Sequence, residues 1–204
     1  MMTKVKFCGL TRLSDIEEVN ELKPEFIGFV FWPRSKRVVT REQAAELKAA
    51  LDPAIKAVGV FVDEDIEVVK ALLNDDIIDI AQLHGREDET YILKLKEASG
   101  KQVIKAFRAG AESGFSGAQD CPADYVLLDA GMGDGVTFDW SLLKNITRPY
   151  FLAGGLYPEN IGEAVRNLHP YAVDVSSGIE TEGVKDNVKM AAFISAVRKE
   201  ETHD

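Results

Sequence analysis

Apolar residues in this chain arrive in short bursts, and stretches with a helical rhythm of polar positions fill the gaps between them. The first burst, Val5-Lys6-Phe7-Cys8-Gly9, is β-prone and begins almost at the first residue; Gly9 stops it. A helix is predicted over 15–22, with Ser14 as its cap. Further strands are predicted at 26–30, 56–62, 77–83, 102–107, 125–129, 149–153 and 172–175. Thr40 caps a helix that runs through Leu51, with Gln43 in the capping-box position. Other helical stretches cover 65–74, 88–98, 159–168 and 186–199. The rhythm falters in the middle of the chain. Residues 109–122 hold Gly110, Gly114 and Gly117 with little apolar period and read as irregular. Residues 130–136 form a glycine-rich loop, and 140–144 are at most a short helix.

Each strand is thus followed by a helix or a helix-sized segment. Such alternation implies a parallel sheet. The pattern predicts an α/β fold, a single (β/α)8 TIM barrel over 1–204, with an irregular segment in place of helix 5. The alternative is a doubly wound open sheet. That fold uses fewer strands and places a glycine fingerprint after the first; no GxGxxG follows residues 5–9.

Composition narrows the partners. The 204 residues are 46% hydrophobic, enough to bury a full core. Net charge is −10, which argues against nonspecific nucleic-acid binding and against an anionic membrane surface. An anionic substrate then needs a local site that overcomes the global field. No apolar run approaches the roughly 20 residues of a membrane span, and the amino-terminal residues carry no charged-then-apolar leader, which predicts a cytoplasmic protein. The two cysteines form no CxxC pair, and the three histidines are too scattered to suggest a metal cluster.

In a barrel, the residues at strand carboxyl ends share one rim. Here they are Cys8, the basic loop from Arg34 to Arg37, His84, Asp129, Gly154-Gly155, and Asp174 with Ser176-Ser177-Gly178. Cys8 is either a small buried hydrophobe or a rim thiol. Glycines after strands seven and eight are either tight turns or a phosphate cradle; occurring together, they favour phosphate. Asp129 is either a helix cap or a rim carboxyl, and the glycines that follow weaken the cap. Arg37 is either a solvated charge or a fork for a carboxylate. His84, before a glycine, is either a hydrogen-bonded structural residue or a ligand contact.

Taken in order, these motifs resemble the phosphoribosylanthranilate isomerase family of tryptophan biosynthesis. The resemblance covers Val5-Lys6-Phe7-Cys8-Gly9-Leu10-Thr11, Pro33-x-Ser35-x-Arg37, Gln82-Leu83-His84-Gly85, Leu127-Leu128-Asp129 and Thr137-Phe138-Asp139-Trp140. It continues through Ala153-Gly154-Gly155-Leu156-x-Pro158-Glu159-Asn160 and Val173-Asp174-Val175-Ser176-Ser177-Gly178-Ile179-Glu180. It implies an Amadori rearrangement of N-(5-phosphoribosyl)anthranilate, without metal or cofactor. By the same resemblance Cys8 is the general base, Asp129 the general acid, and Arg37 the contact for the anthranilate carboxylate. Gly154, Gly155, Ser176, Ser177 and Gly178 fall on the phosphate loops, and His84 and Asp174 line the ligand. The base has to work near neutral pH, so its setting is expected to favour the thiolate. Two stretches depart from the family pattern: Met132-Gly133-Asp134-Gly135, and Glu182-Gly183-Val184-Lys185-Asp186. The chain is expected to act on a small phosphorylated molecule, as a monomer or homodimer. Two rival readings remain at this stage: another sugar-phosphate barrel enzyme, such as an epimerase or an indole-glycerol-phosphate synthase relative, and a noncatalytic sugar-phosphate binder.

Overall fold

The computed structural model describes residues 2–109, 115–129, 143 and 146–200. Eight parallel strands close into a barrel in sequence order: β1 (Lys4–Cys8), β2 (Phe26–Val30), β3 (Lys56–Phe61), β4 (Ile80–Leu83), β5 (Gln102–Arg108), β6 (Tyr125–Asp129), β7 (Tyr150–Ala153) and β8 (Ala172–Val175). Closure comes from β1 pairing with both neighbours, Lys6 opposite Phe26 on one side and opposite Asp174 on the other. The helices are α1 (Leu13–Leu22), α2 (Arg41–Ala50), α3 (Ile66–Asn74), α4 (Glu89–Ser99), α5 (Ile161–Leu168) and α6 (Asn187–Glu200). Between β8 and α6 the chain makes one 3-10 turn (Ser177–Ile179) and a small antiparallel hairpin, β9 (Glu180–Thr181) and β10 (Val184–Lys185).

Residues 115–120, between β5 and β6, form turns, in keeping with the irregular segment expected there. The predicted loop at 130–136 lies outside the described residues, as does the stretch at 140–144 apart from Leu143. One cap differs from expectation. Ser14 lies inside α1, and Asp15 secures the helix start instead. Its carboxylate accepts from the backbone N–H of Thr11 at 3.0 Å and of Arg12 at 3.1 Å. The carboxylate of the third helical residue reaches back over the helix start, and its negative charge suits the positive end of the helix dipole. At α2 the expected capping box is present: Gln43 N–H donates to Thr40 Oγ1 at 3.2 Å, and Thr40 N–H to Gln43 Oε1 at 2.9 Å.

Alternation along each strand sorts the core into two layers. One set, including Phe7, Ile27, Phe29, Leu83 and Val126, packs outward beneath the helices. The other, including Phe26, Val58, Ile80, Leu127 and Phe151, fills the barrel interior. Within the inward set, chemistry changes along the barrel axis. Toward the strand carboxyl ends the same parity delivers Cys8, Gln82, His84, Arg108, Asp129 and Asp174. A packed apolar floor therefore carries a polar rim, as expected of this architecture.

Candidate active site

The rim residues line one cavity of about 410 Å³. Cys8, Arg37, His84, Asp129, Gly154, Gly155, Asp174, Ser176, Ser177 and Gly178 all contribute to its wall. The cavity thus gathers every candidate residue nominated from the sequence.

Cys8 sits beside Gly28 across the β1–β2 register. A Cβ on Gly28 would stand 2.8 Å from the Cys8 Sγ, so glycine makes the room that the thiol occupies. Two residues earlier on the same face, Lys6 is fully buried and its Nζ donates to Asp174 Oδ1 at 2.9 Å. Burial pushes the Cys8 thiol up from its ordinary value. The nearby Lys6 and Lys185 ammonium groups work against that rise, while Asp174 adds to it. The expectation that the setting favours the thiolate is therefore corrected for the free enzyme: desolvation outweighs the two cations. For Lys6, burial works to lower the pKa, but Asp174 and Cys8 together raise it, so the ammonium stays charged.

Asp129 ends β6 on the opposite wall. Its Oδ2 lies 3.6 Å from His84 Nε2 and 3.5 Å from Arg108 Nε. The Gln82 amide nitrogen stands 3.1 Å from His84 Nδ1. In that orientation the amide donates to Nδ1, which leaves the ring proton of a neutral His84 on Nε2, facing the carboxylate. Among the described residues, Gln82 Oε1 and His84 Nε2 are buried without a hydrogen-bond partner. Buried polar atoms without partners are rare, and in a cavity wall they are acceptors and donors offered to a ligand.

The glycine pair after β7 is required by its backbone. Gly154 and Gly155 adopt φ of +93° and +60°, left-handed conformations that a side chain disfavours. Asn160 fastens this loop, donating to the Gly155 carbonyl at 2.9 Å and accepting from Tyr157 N–H at 2.9 Å. The loop after β8 meets it closely: a Cβ on Gly178 would stand 1.9 Å from the Leu156 carbonyl oxygen. Only glycine allows the two loops to touch and form one continuous lip.

Arg37 reaches the cavity from the loop after β2, but its Nε and Nη2 already donate to the two oxygens of Glu180, each at 2.6 Å. Sequence reasoning did not single out Lys6, Gln82, Arg108 or Glu180 as site residues. Lys6 and Gln82 were recoverable, since each stands two residues before a nominated rim residue and shares its face. Arg108 was hidden by placing the end of β5 at 107, one residue short.

Residues 5–196 match the family model described as N-(5'phosphoribosyl)anthranilate (PRA) isomerase. The chain belongs to the N-(5'-phosphoribosyl)anthranilate isomerase family. The family's enzymes from Endomicrobium trichonymphae and Clostridium acetobutylicum are each 45% identical to it, over 97% of this chain and 99% of theirs. The crystal structure of the phosphoribosyl anthranilate isomerase from Thermotoga maritima superposes with a TM-score of 0.89 at 36% identity, covering 97% of this chain and 100% of that one. A phosphoribosyl anthranilate isomerase in complex with reduced 1-(o-carboxyphenylamino)-1-deoxyribulose 5-phosphate matches with a TM-score of 0.86 at 36% identity, over 97% of this chain and 100% of that one. The 3-hexulose-6-phosphate synthase from Salmonella typhimurium, at 16% identity and a TM-score of 0.75, shares the fold alone.

Proposed function

We propose that this cavity isomerises N-(5'-phosphoribosyl)anthranilate by an Amadori rearrangement, with Cys8 as general base and Asp129 as general acid. Membership of the family makes the chain an isomerase of tryptophan biosynthesis. The observation that supports the residue assignment is the presence of a thiol and a carboxyl on opposite walls of one cavity, beneath a double-glycine lip.

The chemistry needs two proton transfers in sequence. Asp129, protonated, gives its proton to the ribose ring oxygen, and the ring opens to a Schiff base. Cys8, as thiolate, removes the proton from C2 of the sugar. The enolamine so formed tautomerises to the ketone. One group must start protonated and the other ionised. A thiol whose pKa is raised is a stronger base once ionised, at the cost of a smaller ionised fraction; Lys6 and Lys185 limit that cost. The substrate phosphate is assigned to Gly154, Gly155, Ser176, Ser177 and Gly178, where glycine brings backbone N–H groups close to an anion. Arg37 is assigned to the anthranilate carboxylate. His84 and Asp174 border the sugar. A ligand of this class carries a phosphate and a carboxylate, which accords with the product-like molecule bound by the related enzyme.

We further infer that residues 1–204 act as one barrel domain on a small phosphorylated molecule in the cytoplasm, independently of nucleic acid. Among the described residues, no helix is long and apolar enough to cross a membrane. A monomer and a homodimer both accommodate the cavity, which lies within a single chain. The deciding experiment follows the fluorescence of the anthranilate ring as substrate is consumed by the purified chain. Steady turnover is expected. Binding without turnover would establish the noncatalytic sugar-phosphate binder instead.

A further inference from the structure

Glu180 has no part in the proton transfers, and Lys185 bears on them only through its charge near Cys8, yet their surroundings are unusual for hairpin residues. They face each other across β9 and β10, and their side chains are only 7% and 2% exposed. Both oxygens of Glu180 are engaged by Arg37, through Nε and Nη2 at 2.6 Å each. Lys185 Nζ donates to Glu180 Oε1 at 2.6 Å and to the Ser176 carbonyl at 2.9 Å. The Ser176 hydroxyl donates in turn to the Cys8 carbonyl at 3.0 Å. One run of hydrogen bonds thus links the guanidinium to the last residue of β1 and to the loop after β8.

The shape of the guanidinium decides what this does. It offers two forks to carboxylates, side-on through Nε and Nη2, and end-on through Nη1 and Nη2. Glu180 takes the side-on fork. It does so from a small cleft shared with Thr11, Arg12 and Lys185, and it does not line the main cavity. Arg37 lines both. Its stem is held as well: a Cβ on Gly9, whose φ is +80°, would stand 2.4 Å from Arg37 Cδ. Burial opposes the Glu180 charge, but the hydrogen bonds from Arg37 and Lys185 hold its carboxyl below the usual carboxylate range.

We propose that Glu180, itself fixed by Lys185, is a positioning residue that holds Arg37 side-on and presents its end-on fork to the ring carboxylate of the substrate. This rests on the assignment of Arg37 to that carboxylate. The contrary role is a built-in rival, with Glu180 occupying Arg37 until substrate displaces it. The two roles give effects of opposite sign. Charge alone also points the other way from positioning: deleting Glu180 leaves Arg37 and Lys185 uncompensated, which would tighten every phosphorylated anion.

The test measures binding of reduced 1-(o-carboxyphenylamino)-1-deoxyribulose 5-phosphate and of the same molecule without its ring carboxylate. Wild type, Glu180→Ala, Glu180→Gln, Lys185→Met and Arg37→Ala are compared. Arg37→Ala is expected to erase the preference for the carboxylated ligand. Glu180→Ala should shrink that preference by about 10-fold or more, the scale of a charge-assisted fork lost through misplacement. Lys185→Met and Glu180→Gln should shrink it less. Adding Glu180→Ala to Arg37→Ala should change the preference no further. A larger preference for the carboxylated ligand in Glu180→Ala overturns the proposal in favour of a rival carboxylate. Equal weakening of both ligands overturns it in favour of a merely structural residue. If Glu180→Ala fails to fold, an unchanged preference in Glu180→Gln overturns it. An intact preference in Arg37→Ala sinks the Arg37 assignment itself, and with it the role of Glu180.

Discussion

The two walls of the cavity are built differently. On the wall made by β1 and β8, and in the β9–β10 hairpin behind it, charged groups are interlocked: Lys6 with Asp174 at 2.9 Å, Lys185 with Glu180 at 2.6 Å, and Glu180 with Arg37 at 2.6 Å. On the wall made by β4 to β6, His84 and Arg108 approach Asp129 at 3.6 and 3.5 Å, and two buried atoms of Gln82 and His84 have no hydrogen-bond partner among the described residues. The base wall has its charged groups paired with one another before any ligand arrives. The acid wall still offers polar atoms to a ligand. That division suits the proposed order of events, in which ring opening by Asp129 depends on where the sugar oxygen is seated. Proton abstraction then needs a base whose position is already set.

The largest effect should come from breaking the interlocked wall. Lys6→Met leaves Asp174 as a buried carboxylate without its partner, and stability should fall by about 3–5 kcal/mol in denaturant unfolding. Adding Asp174→Asn should restore much of it, because the uncompensated charge is then gone. A Lys6→Met protein as stable as wild type would mean that the pair is not the clamp described here. The same substitution removes a cation that favours the Cys8 thiolate, so the thiol pKa should rise further. Alkylation of Cys8 by iodoacetamide should then be slower at neutral pH and need more alkaline solution to reach the wild-type rate.

A smaller effect, confined to ligand, is expected at the cavity edge. Arg37→Ala should lose about 2–4 kcal/mol of binding to a carboxylated ligand, and the ligand without the carboxylate should bind wild type and mutant about equally. Equal losses on both would reduce Arg37 to a general positive charge.

The smallest effect on stability belongs to the acid wall. Gln82→Leu removes a buried carbonyl oxygen without a partner among the described residues, but also the amide that donates to His84 Nδ1, so stability should fall by no more than about 1–2 kcal/mol. Ligand affinity should nonetheless fall, since the amide is offered to the cavity and orients His84. A stability loss as large as that of Lys6→Met would erase the contrast between the walls.

Much of this was legible in the sequence. Short apolar bursts gave all eight strands, because a parallel barrel buries both faces of each strand. The candidate residues were legible for the same reason: a strand's last inward residue has nowhere to point but the cavity. The networks were not. Lys6 pairs with Asp174 across 168 residues, and Arg37 pairs with Glu180 across 143. Such pairs exist only once the barrel closes and a hairpin folds back after β8. The Cys8 environment was misjudged for a related reason. Its strand position revealed neither the neighbouring cations, Lys6 and Lys185, nor how completely the thiol would be desolvated. Ser14 failed as a cap because the helix starts two residues earlier than expected, at Leu13, with Asp15 bonded back to the N–H groups of Thr11 and Arg12.

The central claim is that Cys8 and Asp129 carry the two proton transfers. Single-turnover and steady-state rates of Cys8→Ser and Asp129→Asn, measured beside product affinity, test it most directly. Each substitution should lower turnover by at least about 100-fold, the scale of a positioned proton-transfer group, while product affinity changes far less. Near-wild-type turnover in either variant would contradict the role given to that residue.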